Sequence, residues 1–152
     1  MSDRQYANNR KAFHDYHVLE TVEAGMVLSG TEAKSVRAGR ISLREAYIRI
    51  ENGEAWLHGA HIAHYEPGNR YNHEPTRPRK LLLHRGQISH LTGKVKEGGI
   101  TMVPIRVYDQ RGYLKVEVAL ARGKKQWDKR ESIAKRDAAR EIDRTVKELS
   151  RA

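Results

Sequence analysis

Three histidines at three-residue spacing, His58, His61 and His64 in "HGAHIAH", are the set most suggestive of a metal centre. Imidazole is a common zinc ligand. The same segment is predicted as a β-strand, however, in which residues three apart point to opposite faces and cannot converge on one ion. A histidine metalloenzyme that depends on His61 is therefore the least favoured hypothesis.

Other catalytic patterns are also missing from the sequence. There is no cysteine, which removes thiolate zinc sites, disulfides and cysteine nucleophiles together. The sequence contains no His-Glu-x-x-His, no Gly-x-Ser-x-Gly and no phosphate-binding or dinucleotide glycine motif. We therefore expect no metal, no cofactor and no enzymatic activity.

Positive charge is the feature with the clearest chemical meaning. The 152 residues include 29 Lys and Arg against 19 Asp and Glu, a formal net charge of +10. Basic clusters occur at Asn8–Lys11, Arg77–Lys80 and Arg122–Arg130. Lysine and arginine neutralise phosphates, while Tyr, Trp and His rings can stack on bases. The composition therefore indicates a nucleic acid as partner.

Two acidic residues, Glu23 and Glu32, need a separate explanation in a basic protein. A carboxylate repels phosphates, so a functional one would accept a hydrogen bond from a base or ribose, or orient a neighbouring cation. The alternative for Glu23 is a solvated strand residue. For Glu32 it is a residue in the first turn of a helix.

The segments that position these residues alternate between apolar and polar residues and are separated by turn signals at Gly25, "ENGE" and "DQRG". The strands are predicted at His17–Val22 with Met26–Leu28, Ala46–Ile50, Ala55–Ile62, Ile100–Val107 and Tyr113–Ala119. Asn52-Gly53 is typical of a tight hairpin turn, because both residues tolerate a positive φ. We expect a mainly β, OB-fold-like small barrel, closed or nearly closed, with inserted helices.

Two inserted helices are predicted. The first has Thr31 as its N-cap and ends at Gly39. The second contains Leu81, Leu82, Ile88 and Leu91 at nearly helical spacing and ends at Gly93. The segment between Tyr65 and Pro78 is predicted as a surface loop.

A basic C-terminal segment follows the barrel, so we divide the chain into residues 1–121 and 122–152. At helical spacing, an apolar stripe opposes a basic stripe. The apolar stripe contains Ala134, Ala138, Ile142, Val146 and Leu149, and the basic stripe contains Arg136, Arg140, Arg144, Lys147 and Arg151.

We expect this tail to be disordered alone and to fold on an anionic surface; the alternative is a solvated helix docked on the barrel. Trp127 would either stack on a base or anchor the tail to the barrel.

Several strings, in this order, resemble the small protein B family, the bacterial SsrA-binding proteins. They are "NNRKAFHDY", "EAGMVLSGTEAKSVRAGR", "NGEAWL", "HEPTRPRKLLLH", "VPIRVY" and "KVEVALARGKKQWDKRE". The resemblance implies a cytoplasmic OB-fold-like protein that binds transfer-messenger RNA and is required for trans-translation, the rescue of stalled ribosomes. It also implies a tail that becomes helical in the decoding region and the empty message channel of the small ribosomal subunit.

The resemblance and the basic clusters together select the predicted site residues. For the tRNA-like part of the RNA these are Asn9, Arg10, Lys11, Tyr16, Glu23, Arg79, Lys80, Leu82 and Lys115. For the ribosome they are Gly123, Lys124, Lys125, Trp127, Asp128, Lys129, Arg130, Arg136, Arg140 and Arg144. Leu82 has a core position as its alternative, and Trp127 stands where many relatives have histidine.

Three further expectations complete the interpretation. We expect a monomer in the RNA complex. No run of about 18 apolar residues and no apolar N-terminal stretch is present, so no membrane association is expected. A generic OB-fold protein that binds single-stranded nucleic acid is the alternative function.

Overall fold

The computed structural model describes residues 4–65 and 72–123, which form nine strands and three helices. The strands are β1 (Gln5–Asn8), β2 (Tyr16–Met26), β3 (Ile41–Ser42), β4 (Tyr47–Glu51), β5 (Glu54–His58), β6 (His61–Ile62), β7 (Arg79–Leu82), β8 (Ile100–Gln110) and β9 (Tyr113–Gly123). The helices are α1 (Arg10–Asp15), α2 (Gly30–Arg37) and α3 (Arg85–Lys96).

Six strands pair in a ring. Its order is β8, β4, β5, β7, β2 and β9, and β9 pairs again with β8, while β1 extends the sheet beside β8. The β2–β9 and β8–β9 ladders are long, whereas β4 and β8 share one register pair, Ile48 with Met102. The ring is thus a nearly closed barrel, and the prediction of a mainly β, OB-fold-like barrel with inserted helices is confirmed.

The predicted hairpin turn and the first helix are present. Asn52 and Gly53 have φ values of 52° and 74° and join β4 to β5. Helix α2 ends before Gly39, whose φ is 78°. Thr31 as its N-cap was wrong, because the Ser29 side chain accepts from the Glu32 backbone N–H and the Glu32 carboxylate accepts from the Ser29 N–H.

The second helix begins later than its apolar spacing predicted. Leu81 and Leu82 lie in strand β7, and α3 continues past Gly93 to Lys96. Strand β7 fills the gap between β5 and β2. A short apolar run such as this one is compatible with either a strand or a helix. It forms a strand here because β5 and β2 both have backbone groups that require a hydrogen-bonding partner.

Two glycines have roles opposite to those that the sequence indicated. The sequence predicts a turn at Gly25, yet Gly25 lies within β2 and pairs with both β7 and β9. The predicted strand Ala55–Ile62 includes Gly59, yet Gly59 separates β5 from β6. Its φ is 73°, and a Cβ there would lie 2.4 Å from the backbone oxygen of Glu45, so only glycine fits.

Three short elements were not predicted: β1, α1 and β3, which pairs with β6. Each depends on distant partners more than on its own sequence; the cap of α1, for example, is tied to Leu43 and Pro104 through Asn9. Within the described ranges, no helix is both long and apolar enough to span a bilayer. Residues 124–152 lie outside the described residues.

Candidate nucleic-acid interface

The outer face of strands β2, β9 and β8 carries two of the predicted RNA-binding residues, Glu23 and Lys115. Ala24, Val116 and Val107 form one row across these strands and are buried in the core. Successive strand residues point to opposite faces, so the residues on either side of this row point outward. They are Glu23 and Gly25 on β2, Lys115 and Glu117 on β9, and Arg106 and Tyr108 on β8.

Leu82, Gly25 and Lys115 lie side by side on β7, β2 and β9 and form the floor of a cleft. Leu82 is 55% exposed, so its alternative as a core residue is wrong. A Cβ at Gly25 would lie 3.4 Å from the Leu82 Cβ and 3.8 Å from the Lys115 Nζ. The missing side chain thus leaves open space between an apolar wall and an ammonium group. The cleft has a volume of about 480 Å³, and its remaining lining residues are Glu23, Leu83, His84 and Gln87.

Glu23 is held in this cleft by a hydrogen bond from the barrel. The Tyr108 hydroxyl donates to the Glu23 Oε2, and Arg106 lies over the Tyr108 ring with its Cζ 4.2 Å from the ring centroid. Arg106 in turn donates to the Glu117 carboxylate. Burial, and then the bond to Glu23, raise the pKa of Tyr108, so its hydroxyl keeps the proton at neutral pH. A carboxylate accepts several hydrogen bonds, so Glu23 retains acceptor capacity for a ligand.

The cleft combines three kinds of contact that RNA uses. The Lys115 ammonium can neutralise a phosphate. The Glu23 carboxylate can accept from a base N–H or a ribose 2′-hydroxyl, and the Leu82 side chain offers an apolar surface. We call Glu23, Gly25, Leu82 and Lys115 the cleft cluster.

Lys80 is two residues before Leu82 on β7, so it faces outward beside the cleft cluster. Its ammonium is 3.1 Å from the Glu54 Oε1, and both side chains are substantially exposed. An exposed ion pair of this kind contributes little to stability, so Lys80 can exchange Glu54 for a phosphate at low cost.

Three other predicted residues, Arg10, Lys11 and Tyr16, lie at the opposite end of β2. Arg10 and Lys11 begin α1 and line a cleft of about 600 Å³ that also includes Arg44. Tyr16 and Gly25 are nine residues apart on one strand, at most about 30 Å. The structure therefore divides the predicted RNA-binding residues into the cleft cluster and a second group, which we call the α1 cluster (Arg10, Lys11 and Tyr16).

Asn9 lines the same cleft as Arg10 and Lys11, but its side chain is held inside the protein. It is 5% exposed, and its amide nitrogen donates to the backbone oxygens of Leu43 and Pro104. Its Oδ1 accepts from the Ala12 N–H and so caps α1. Both ends of the amide are thus occupied inside the protein, so the side chain fixes α1, and a contact between Asn9 and RNA stays a prediction.

Arg79 is likewise structural. It has no exposed surface; its Nε donates to Glu32 at 2.6 Å, and its other nitrogens donate to backbone oxygens of Ala60, Glu74 and Pro75. A guanidinium so enclosed cannot reach a phosphate. The prediction that Arg79 binds RNA is wrong, because the basic run "RPRK" alternates between inward and outward positions once it forms β7.

Glu32 is the partner that makes this burial possible. Its carboxylate accepts from Arg79, from two nitrogens of Arg77 and from the Ser29 N–H. Burial acts to raise its pKa, but the hydrogen bonds from Arg77, Ser29 and Arg79 outweigh it and lower the pKa from 4.5 to about 2. Glu32 is therefore structural, as its position in the first turn indicated.

The remaining predicted residues fall mostly outside the described ranges. Lys124, Lys125, Trp127, Asp128, Lys129, Arg130, Arg136, Arg140 and Arg144 lie in residues 124–152. Gly123 is described: it ends β9 and pairs with Tyr16, so the tail begins at the α1 cluster. In the described ranges, no three His, Asp or Glu residues are arranged to hold a metal ion.

Sequence reasoning missed Gly25, Arg106 and Tyr108. A signal for them exists, because each flanks a buried residue of its strand and so points outward. The partner strand of each could not be read from the sequence, and only the register brings Tyr108 to Glu23.

A nearly closed ring of antiparallel strands, with a cation, an acceptor and an apolar wall on its outer face, defines a small-barrel nucleic-acid-binding protein. The chain matches the family described as "SmpB protein" over residues 6–148. It is 58% identical to an SsrA-binding protein of Carboxydothermus hydrogenoformans, covering 93% of this chain and 95% of the relative. It is 59% identical to an SsrA-binding protein of Roseiflexus castenholzii, covering 98% and 95%.

A solved structure described as "tmRNA-SmpB: a journey to the center of the bacterial ribosome" is also similar. Its TM-score is 0.68 at 47% identity, with 84% of this chain and 93% of the other covered. The chain belongs to the SmpB protein family.

Proposed function

We propose that this chain binds transfer-messenger RNA and acts with it in trans-translation. Its relatives are SsrA-binding proteins, and its structural neighbour is described with transfer-messenger RNA and the bacterial ribosome. The observation that carries the proposal is the cleft cluster, in which residues from β2, β7 and β9 converge on one cleft with the chemistry that RNA requires.

The cleft cluster, with Lys80 beside it, would hold the tRNA-like part of the RNA. The α1 cluster, at the other end of β2, would add phosphate contacts through Arg10 and Lys11 and a ring through Tyr16. One copy of the chain would bind each RNA. No catalytic step is assigned to the protein, because peptide transfer belongs to the ribosome.

The tail, residues 122–152, would bind the decoding region and the empty message channel of the small subunit. This division is supported by Arg122 and Gly123, the first two residues of the tail, which pair with His17 and Tyr16 at the end of β2 remote from the cleft cluster. Since its proposed partners are cytoplasmic, the protein would act in the cytoplasm.

The test compares binding of full-length transfer-messenger RNA with binding of an unrelated structured RNA of equal length at physiological salt. We expect a preference of about a hundredfold, or about 2.7 kcal/mol. Equal affinity would contradict the proposal and favour a generic nucleic-acid-binding protein.

The tail is tested by truncation after Gln126. Because Gly123 lies at the end of β9 remote from the cleft cluster, the truncated protein should keep its RNA preference and lose activity in a ribosome-rescue assay. If truncation abolished both, the tail would be part of the RNA-binding surface. If it abolished neither, the tail would have no role in rescue.

A further inference from the structure

We infer that Tyr108 is a positioning residue for RNA recognition, whose hydroxyl fixes the Glu23 carboxylate in the orientation that the RNA meets. The inference rests on the proposed function and deepens it, because it explains how one acidic side chain serves a basic binding surface.

The strand register gives Glu23 an unfavourable neighbour. Its direct partner on β9 is Glu117, and like charges directly opposite each other destabilise a sheet. Strand β8 resolves this conflict with two side chains. Arg106, directly opposite Glu117, donates to it, and Tyr108 reaches diagonally across β9 to Glu23.

Tyr108 is a rigid support. It is 2% exposed, and Arg106 covers its ring. A buried ring has only two side-chain torsions, so its hydroxyl is fixed by packing, whereas an unsupported exposed glutamate would lose rotamer freedom on binding. Ordering Glu23 before the RNA arrives reduces that cost.

The same burial keeps Tyr108 from contacting RNA itself, so any effect on binding must pass through Glu23. Lys115, by contrast, lines the cleft and can contact RNA directly. We therefore expect removal of the Tyr108 hydroxyl to lower the affinity for RNA without removing a phosphate contact.

The experiment is a double-mutant cycle with Tyr108→Phe and Glu23→Ala, measured by binding of full-length transfer-messenger RNA over a range of salt. Tyr108→Phe keeps the ring beneath Arg106 and removes only the hydroxyl. We expect about tenfold weaker binding, or about 1.4 kcal/mol, with an unchanged salt slope because no phosphate contact is lost. In the Glu23→Ala background the same change should have no further effect.

Two controls separate positioning from folding. Tyr113→Phe removes a hydroxyl from a 72% exposed residue of β9 and should leave affinity unchanged. Binding of the unrelated RNA should be the same for Tyr108→Phe and the unsubstituted protein, whereas a folding defect would weaken both.

The outcomes distinguish the inference from the proposed function. If Glu23→Ala weakens binding and Tyr108→Phe does not, the inference is wrong and the function stands. An equal loss from Tyr108→Phe with and without Glu23 also overturns it. If the unsubstituted protein does not prefer transfer-messenger RNA, the proposed function fails and the inference fails with it.

Discussion

Replacing Arg79 with methionine separates stability from RNA binding within one basic run. The substitution retains most of the aliphatic volume and removes a guanidinium that makes hydrogen bonds of 2.6 to 3.3 Å to Glu32 and three backbone oxygens. Removing one partner of a buried ion pair costs about 3–5 kcal/mol. Glu32 keeps its pair with Arg77, but three backbone oxygens lose a donor as well. At about 3 °C per kcal/mol for a chain of this size, Tm should fall by about 9–15 °C.

The assay is urea unfolding at pH 7, followed by circular dichroism. The control is Lys80→Met, the next residue on β7, whose exposed pair with Glu54 predicts a loss below about 1 kcal/mol. At a temperature where both variants are folded, Arg79→Met should bind transfer-messenger RNA normally. A stability loss below about 1 kcal/mol for Arg79→Met, or an RNA defect in the folded variant, would refute the structural role of Arg79.

The same network predicts a pH dependence. Because the pKa of Glu32 is about 2 when folded and 4.5 ordinarily, its ionised form stabilises the protein above pH 4.5, and this contribution is lost as the pH falls toward 2. The shift corresponds to about 3 kcal/mol. The difference in unfolding free energy between the unsubstituted protein and Glu32→Gln should therefore narrow by about this amount between pH 5 and pH 2. A constant difference would contradict the low pKa.

Three substitutions test the cleft cluster, each by RNA binding and thermal unfolding. Lys115→Gln should weaken transfer-messenger RNA binding and reduce its log–log salt slope by about 0.7 to 0.9; an unchanged slope would exclude a phosphate contact. Gly25→Ala should fold normally, since its methyl would be in ordinary contact with Leu82, and should weaken binding by filling the floor of the cleft; unchanged affinity would show that RNA does not approach the floor. Leu82→Ala should cost less than about 1 kcal/mol of stability because the side chain is exposed. A large stability loss would show that the Leu82 side chain is part of the hydrophobic core.

Local features of the fold were readable where the residue type alone decides the backbone. Asn52-Gly53 dictates a hairpin turn because both residues accept a positive φ, and Gly39 ends α2 for the same reason. Alternation of apolar and polar residues was sufficient to predict a mainly β barrel. Strand β7 could not be separated from α3, because the backbone partners that make it a strand come from β2 and β5, far away in the chain.

For the candidate site as well, some features could be predicted from the sequence and others depended on the tertiary structure. The sequence determined the charge, the nucleic-acid partner and most members of the cleft cluster, since these depend on residue types and motifs. It could not determine that Asn9 and Arg79 are buried. Whether a polar side chain meets solvent or the protein interior depends on long-range neighbours, and here Leu43, Pro104 and Glu32 supply the partners.

By itself the sequence determined that this is a basic, mainly β protein of the SmpB family, and it located the turns at residues that accept a positive φ. The tertiary structure alone decided which cations face outward, that the RNA-binding candidates form two clusters at opposite ends of β2, and that Tyr108 supports Glu23. The physical reason is register: a shift of one residue between strands exchanges the inner and outer faces, and register is fixed by packing of the whole ring.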